Sequence, residues 1–340
     1  LFAYGSSAAG VVLFDPILGA TTVVGGLPAS TEIHDLEFAN GGRDLFVATQ
    51  VGLFVVDVTS PAPAGSLFAA AVANSLAVDR VTGRLYALGG YSGLLTVNDA
   101  AAGAPGFGTV VGLTGHFAHT LDLSTDGRRL ALAHAFGSIQ VLNADASSPA
   151  YLQPIASATP AVIPTPGIGS APVVVSGDGR VVSVPLRTGL PVPKSQLWRY
   201  DVDLGQWIDH DPAGAGVQPL SADVAPLLST TFGYLIARNG VEAYAPNASG
   251  VQRLTYDLAE PTSFALQSTA MPASGAGGGV SRRYLTASPS GRYLTTRLAP
   301  LAGTGPNTFH VVDVATGAEV LLGTLAGGGG ASAPGVGVWR

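Results

Sequence analysis

One pattern recurs along this chain: a short apolar run, rich in β-branched and aromatic residues, that ends on an acidic or amide residue and a turn. It occurs as Val11-Val12-Leu13-Phe14-Asp15, Leu53-Phe54-Val55-Val56-Asp57, Leu94-Leu95-Thr96-Val97-Asn98, Ile139-Gln140-Val141-Leu142-Asn143, Leu197-Trp198-Arg199-Tyr200-Asp201 and Phe309-His310-Val311-Val312-Asp313. The closing residues of the first four copies are spaced 42, 41 and 45 residues apart, and the interval lengthens further on. Val241 to Tyr244, before Pro246-Asn247, reads as a degenerate seventh copy. A second marker, a turn glycine followed by an arginine and a strand, precedes five of these at Gly42-Arg43, Gly83-Arg84, Gly127-Arg128, Gly179-Arg180 and Gly291-Arg292. Glycine supplies the positive φ that tight hairpins need. A period of this length marks a repeated supersecondary unit. Each unit reads as four short strands, A to D, with the glycine-arginine turn joining A to B and an Asp-x-x-x-Gly turn joining C to D.

The count closes at seven. Leu1-Phe2-Ala3-Tyr4-Gly5 aligns with Leu85-Tyr86-Ala87-Leu88-Gly89, which makes it a B strand with no A strand ahead of it. Gly335-Val336-Gly337-Val338-Trp339 is a strand without a unit of its own. The expectation is an all-β ring in which the last strand completes the first unit. This organisation resembles a seven-bladed β-propeller with four-stranded blades, in the loose YVTN/WD40-like repeat group. One unit is closest to the WD40 pattern, with Gly115-His116, then Thr120-Leu121-Asp122-Leu123-Ser124-Thr125-Asp126-Gly127-Arg128, then Ile139 to Asn143. The whole chain is read as a single domain with blades at about 1–26 plus 334–340, 31–71, 74–113, 117–155, 170–213, 220–257 and 262–325. A pair of β-sandwiches would account for the strands, but for neither the regular spacing nor the orphan strand at each end.

The composition agrees with stacked blades. The chain is 47% apolar and 11% charged, and stacking buries both faces of the middle strands. No run reaches the 18 or so apolar residues of a membrane-spanning helix. A formal net charge of −6 gives no electrostatic reason to bind nucleic acid. With no cysteine there is no disulfide framework, thiolate nucleophile or zinc-thiolate site. Lys194 is the only lysine among 16 basic residues, a bias typical of GC-rich bacterial genes. The chain starts at Leu1 without a signal-like segment, so we expect a leader or anchor to have been removed and the protein to be periplasmic or extracellular.

Within a blade, A–B and C–D turns share one face of the disc, and B–C and D–A connections share the other. The long irregular stretches are Ala156 to Ala171, Leu186 to Gln196, Thr262 to Ser281 and Ala299 to Asn307, all read as D–A or B–C connections. Insertions concentrate where a scaffold does its binding. The functional face is therefore expected at the D–A/B–C side, around blades five to seven, where five bases gather: Arg187, Lys194, Arg282, Arg283 and Arg297. At the mouth of the channel, the starts of the A strands bring His34, Asn74, His119, Ala171 and Arg283 to equivalent positions. Such a polar ring suits an anion or water, or simply finishes the channel.

Catalytic signatures are largely missing. There is no P-loop, dinucleotide fingerprint or Gly-x-Ser-x-Gly elbow. His116 and His119 stand three apart without a fixed third ligand. Asp209-His210-Asp211 and Asp201-Val202-Asp203 read as turns, and Trp198 and Trp207 as blade packing. The reading that follows is a non-catalytic scaffold that takes protein partners and no cofactor. It would serve as an accessory subunit on the periplasmic face of a respiratory or photosynthetic membrane complex, membrane-associated only through a partner or a removed anchor. The alternative implied by the resemblance is a lactonase-like hydrolase, with His34 or His119 as general base and Arg283 stabilising the oxyanion. A propeller holding a quinone or metal is a third class.

Overall fold

The computed structural model describes residues 1–6, 10–15, 18–29, 31–89, 93–100, 107–112, 118–134, 138–160, 173–188, 194–221, 235–236, 242–247, 250–256, 264–268, 280–288, 292–300, 307–313, 316, 318–325 and 336–339. The repeated markers become antiparallel strands. Sheet 1 begins with β1 (Phe2–Ser6), β2 (Gly10–Asp15) and β3 (Ala20–Val23). Sheet 2 is β4 (Ile33–Ala39), β5 (Asp44–Thr49), β6 (Gly52–Asp57) and β7 (Gly65–Ala69). Sheet 3 is β8 (Ser75–Val78), β9 (Arg84–Gly89), β10 (Leu94–Asp99) and β11 (Phe107–Gly112). Sheet 4 is β12 (Ala118–Leu123), β13 (Arg129–His134), β14 (Ile139–Asn143) and β15 (Pro154–Ala158). Sheet 5 is β16 (Val174–Val175), β17 (Val181–Thr188), β18 (Lys194–Asp201), β19 (Gln206–Trp207) and β20 (Leu220–Ser221), with β19 and β20 both paired to β18. Sheet 6 is β21 (Leu235–Ile236), β22 (Glu242–Asn247), β23 (Gly250–Tyr256) and β24 (Phe264–Ser268), and sheet 7 is β25 (Val280–Ala287), β26 (Tyr293–Pro300), β27 (Asn307–Asp313) and β28 (Glu319–Leu325). The last strand, β29 (Val336–Trp339), pairs with β1, setting Phe2 opposite Trp339 and Gly5 opposite Val336.

The core lies in the seams between sheets. Alternation along a strand sends successive side chains to opposite faces, and here each face meets a neighbouring sheet. Leu45 and Val47 pack with Leu13 and Val11 of sheet 1, while Phe46 and Ala48 pack with Leu76, Leu85 and Ala87 of sheet 3. Tyr86, Leu88 and Leu95 meet Leu121 and Leu130 across the next seam, and Ala131 and Val141 meet Val182 and Trp198 across the one after. On the other side of sheet 1, Phe2, Tyr4 and Phe14 pack with Val311 of sheet 7. Inner strands touch their neighbours in the order β29, β4, β8, β12, β16, and again β21, β25, β29. Stacking of four-stranded antiparallel sheets seam to seam in this way is the architecture of a β-propeller.

One face is tied off by its own turns. In sheets 2 to 5 the residue that follows the C strand donates its N–H to the carbonyl of the A–B turn: Val58 to Arg43, Ala100 to Gly83, Ala144 to Arg128 and Val202 to Arg180, at 2.7–2.9 Å. The recurring acid or amide closes the C–D turn. Asp57 accepts the Thr59 N–H, Asn143 that of Asp145, Asp201 those of Asp203 and Leu204, and Asp313 that of Thr316. In sheets 5 and 7 the marker arginine completes the arrangement, with Arg180 paired to Asp201 at 2.9 Å and Arg292 to Asp313 at 3.1 Å.

Two expectations are corrected. Val241 to Tyr244 does not form a C strand: Glu242–Asn247 is the second strand of sheet 6, and Asn247 faces Gly250 across the hairpin to β23. Pro246-Asn247 thus ends a B strand at the B–C hairpin, and the acid-ending run is Leu254-Thr255-Tyr256-Asp257. The stretch Thr262 to Ser281 also contains β24, so it is an outer strand followed by a connection.

Candidate functional site

The polar groups at the channel mouth come from the starts of the inner strands. On β4, Ile33 pairs with Thr49 and Asp35 with Ala48, so His34 is an extra residue, a β-bulge. On β12, Ala118 pairs with His134 and Thr120 with Ala133, which makes His119 the extra residue there. A bulge breaks the alternation and re-aims one side chain. His34 turns across the seam, its Nδ1–H donating to the Ala73 carbonyl at 3.1 Å beside Asn74, with Nε2 3.9 Å from Glu32. Asn74 donates its N–H to Leu88 at 2.7 Å. The bulge therefore sets the His34 ring against the carbonyl of the residue before Asn74. On β25, Arg283 pairs with Arg297 and Leu285 with Thr296, so the bulged residue of sheet 7 is Tyr284 and Arg283 sits one place earlier. Ala171 and His116 lie outside the described residues.

Sequence reasoning missed the residue just after each of these. Asp35 accepts the Leu76 N–H at 2.8 Å, Ser75 accepts the Leu121 N–H at 3.2 Å, and Thr120 accepts the Val173 N–H at 3.1 Å. One turn of the pleat along, Asp122 accepts the Val175 N–H at 2.9 Å. Inner strands have no ladder partner on the axial side, and their N–H groups need acceptors. Each sheet from 2 to 4 supplies one to the next. A polar residue directly after His34, Asn74 and His119 is the signal that could have revealed it.

Asp35 carries the most perturbed charge among these groups. Its carboxylate also accepts the Leu36 N–H at 2.8 Å and the Ser75 hydroxyl. Burial among the inner strands nevertheless pushes its pKa up to about 6, helped by the negative charge of Asp122. Although partly accessible along the axis, the group is hemmed in by protein, and desolvation disfavours its charged form.

The five bases separate into two groups at the same end of their sheets. Arg187 and Lys194 lie on the β17–β18 hairpin, where Arg187 faces Ser195 and Thr188 faces Lys194. Arg282, Arg283 and Arg297 lie where β25 starts and β26 ends. Elsewhere the described polar clusters are structural. Asp209 Oδ1 accepts the Asp211 and Gln218 N–H groups, and Trp207 packs edge-on against Trp198 and Tyr200 at 5.5 and 5.2 Å. Among the described residues no group of three or more His, Asp or Glu is placed to hold a metal, and no helix is long and apolar enough to cross a membrane.

No protein-family model and no curated protein matches this chain. Solved structures do. A chain of the Mitotic Checkpoint Complex superposes with a TM-score of 0.61 at 15% identity, covering 87% of this chain and 83% of that one. The Swd1 (Cps50) β-propeller domain of Myceliophteria thermophila superposes with a TM-score of 0.56 at 12% identity, covering 88% of each. The hydrazine synthase of Kuenenia stuttgartiensis gives 0.53 at 14% identity, over 83% and 77%. At such identities the likeness concerns fold, and the fold this chain shares with these structures is the β-propeller.

Proposed function

We propose that this chain is a seven-bladed, WD40-type propeller, closed by its first and last strands, that acts as a non-catalytic scaffold for a protein partner outside the cytoplasm. The seven sheets among the described residues and the β1–β29 pairing support the closed ring. One observation carries the docking reading. In sheets 2 to 5 the A–B/C–D face is closed by hydrogen bonds between its own turns, whereas the strand ends that lead into the long connections, His34, Asn74 and both groups of bases belong to the opposite end. A partner seated there would meet bases in a chain of net charge −6, so an acidic surface suits it best. Relatives in fold occur in multiprotein complexes, as the name Mitotic Checkpoint Complex states. A periplasmic accessory role on a respiratory or photosynthetic complex is the specific form of this proposal.

Site-specific photo-crosslinking in the native host tests it. A photoreactive residue at Ser195, at the B–C end of sheet 5, should give an adduct with one distinct protein. The same residue at Thr82, in the A–B turn of sheet 3, should not. Equal adducts from both faces, or none from Ser195, would overturn the proposal.

A further inference from the structure

The outer strands of the propeller carry almost no charge. Ala20–Val23, Gly65–Ala69, Phe107–Gly112, Pro154–Ala158, Gln206–Trp207, Leu220–Ser221 and Phe264–Ser268 hold no Asp, Glu, Lys or Arg, and Glu319 is the only charged residue in Glu319–Leu325. An outermost strand presents a row of unpaired main-chain groups, and natural proteins blunt such edges with charge, proline or interruption. Sheet 4 has Pro154, sheet 5 has its outer strand broken between Trp207 and Leu220, and sheet 7 has Glu319. The outer strands of sheets 1, 2, 3 and 6 have none of these devices, and among the described residues the rim at sheets 1 and 2 carries the most exposed of their apolar side chains. All four residues of β3 are exposed, and no described strand pairs with its outer edge. Leu18, Val23 and Leu67 are 76, 68 and 59% exposed beside it. The open stretch ends at Gly25, which donates its N–H to Pro63 and accepts from Gly65, both at 2.9 Å, and so joins the end of β3 to the start of β7.

We propose that this rim is a self-association surface, in which β3 pairs antiparallel with β3 of a second copy. The occupant follows from chemistry on both sides. An uncharged edge with open N–H and C=O groups is complemented by another uncharged edge, and the same chain supplies one. A two-fold axis sets Ala20-Thr21-Thr22-Val23 against itself with no like charges opposed, although the molecule as a whole is acidic. Leu18, Val23 and Leu67 from each copy would flank the joined strands and lose water. This inference rests on the rim alone, so its failure leaves the docking face of the opposite end untouched.

Light scattering after size exclusion, between about 1 and 100 μM, tests it, since a short edge contact of modest area associates in that range. The expected result is a monomer–dimer equilibrium, shifted to monomer at least tenfold by Thr22→Lys, which places a charge on the edge without touching the core. Hydrogen exchange of the Thr21 and Val23 amides, which point away from β2, should slow as concentration rises and stay fast in the variant. A monomer throughout, a dimer indifferent to Thr22→Lys and Val23→Lys, or exchange at Thr21 and Val23 independent of concentration would overturn the proposal.

Discussion

Asp35 of sheet 2 accepts the backbone N–H of Leu76 of sheet 3 at 2.8 Å, so a carboxylate fastens one blade to the next at the edge of the channel. The bond has a pH-dependent cost. In the folded chain the Asp35 pKa is pushed up to about 6, against an ordinary 3.8. Between those values the folded state binds more protons than the unfolded one, and stability falls as pH rises through the window. Asp35→Asn keeps one oxygen for Leu76 without the charge and gives up the second oxygen, which Leu36 uses. Its stability relative to the wild type should rise by about 1–2 kcal/mol between about pH 4 and pH 7.5, because only the wild type loses stability as pH rises through the window. Asp35→Ala leaves the Leu76 N–H unsatisfied and should lose about 1–3 kcal/mol relative to Asp35→Asn at any pH. Denaturant unfolding at several pH values measures all three. Asp122→Asn, by removing the neighbouring negative charge, should draw the upper end of the window below 6.

Gly127 tests how closely the A–B turns approach the next blade. Its φ is +71°, and a Cβ there would lie 2.9 Å from Asp79 Oδ1 in sheet 3. Gly19 has φ +64° but nothing within 4 Å of a Cβ. Gly19→Ala should cost about 1 kcal/mol from conformation alone. Gly127→Ala should cost about 1–2 kcal/mol more, because overpacking is added, and Asp79→Ala in the same chain should recover part of the excess. Equal losses at the two glycines would contradict the close approach.

The recurring acid of the C strand has two separable functions, shown by Asp201. One oxygen accepts the Asp203 and Leu204 N–H groups, each at 3.0 Å, and the other meets Arg180. Asp201→Ala should destabilise by about 2 kcal/mol, since two backbone donors and the guanidinium lose an acceptor together. Asp201→Asn preserves the turn and should cost less than half as much. Thermal unfolding of both variants beside Arg180→Ala separates turn from ion pair.

The parts of the fold that could be read beforehand are those where one physical demand forces one residue type. A C–D turn needs a side-chain acceptor two or three residues back, and Asp15, Asp57, Asn143, Asp201 and Asp313 announce it. A strand buried on both faces must be apolar throughout, as Leu45 to Ala48 is. The readings failed where several residue types meet the same demand. The acceptor to the next blade is a carboxylate at Asp35 and a hydroxyl at Ser75 and Thr120, so no single residue type repeats and only the shared polarity marks it. The bulges at His34 and His119 change register without changing composition, which is why Arg283 was aligned one place off Tyr284. In sheet 6, Pro246-Asn247 mimics the start of a C–D turn while ending the B strand. The outer strand of sheet 5 leaves at Trp207 and returns at Leu220, and the intervening residues carry no strand signature.

The proposed closure of the ring is open to a direct measurement, because the chain has no cysteine of its own. Ala3 and Val338 are Cα partners across the junction of the first and last strands. In the Ala3→Cys/Val338→Cys variant a disulfide should form under mild oxidation in the native state and close a loop of nearly the whole chain. It should stabilise by about 2–4 kcal/mol, reversed by reductant. Two thiols that stay free in the folded protein, or a disulfide that forms only after unfolding, would contradict a propeller closed by its own termini.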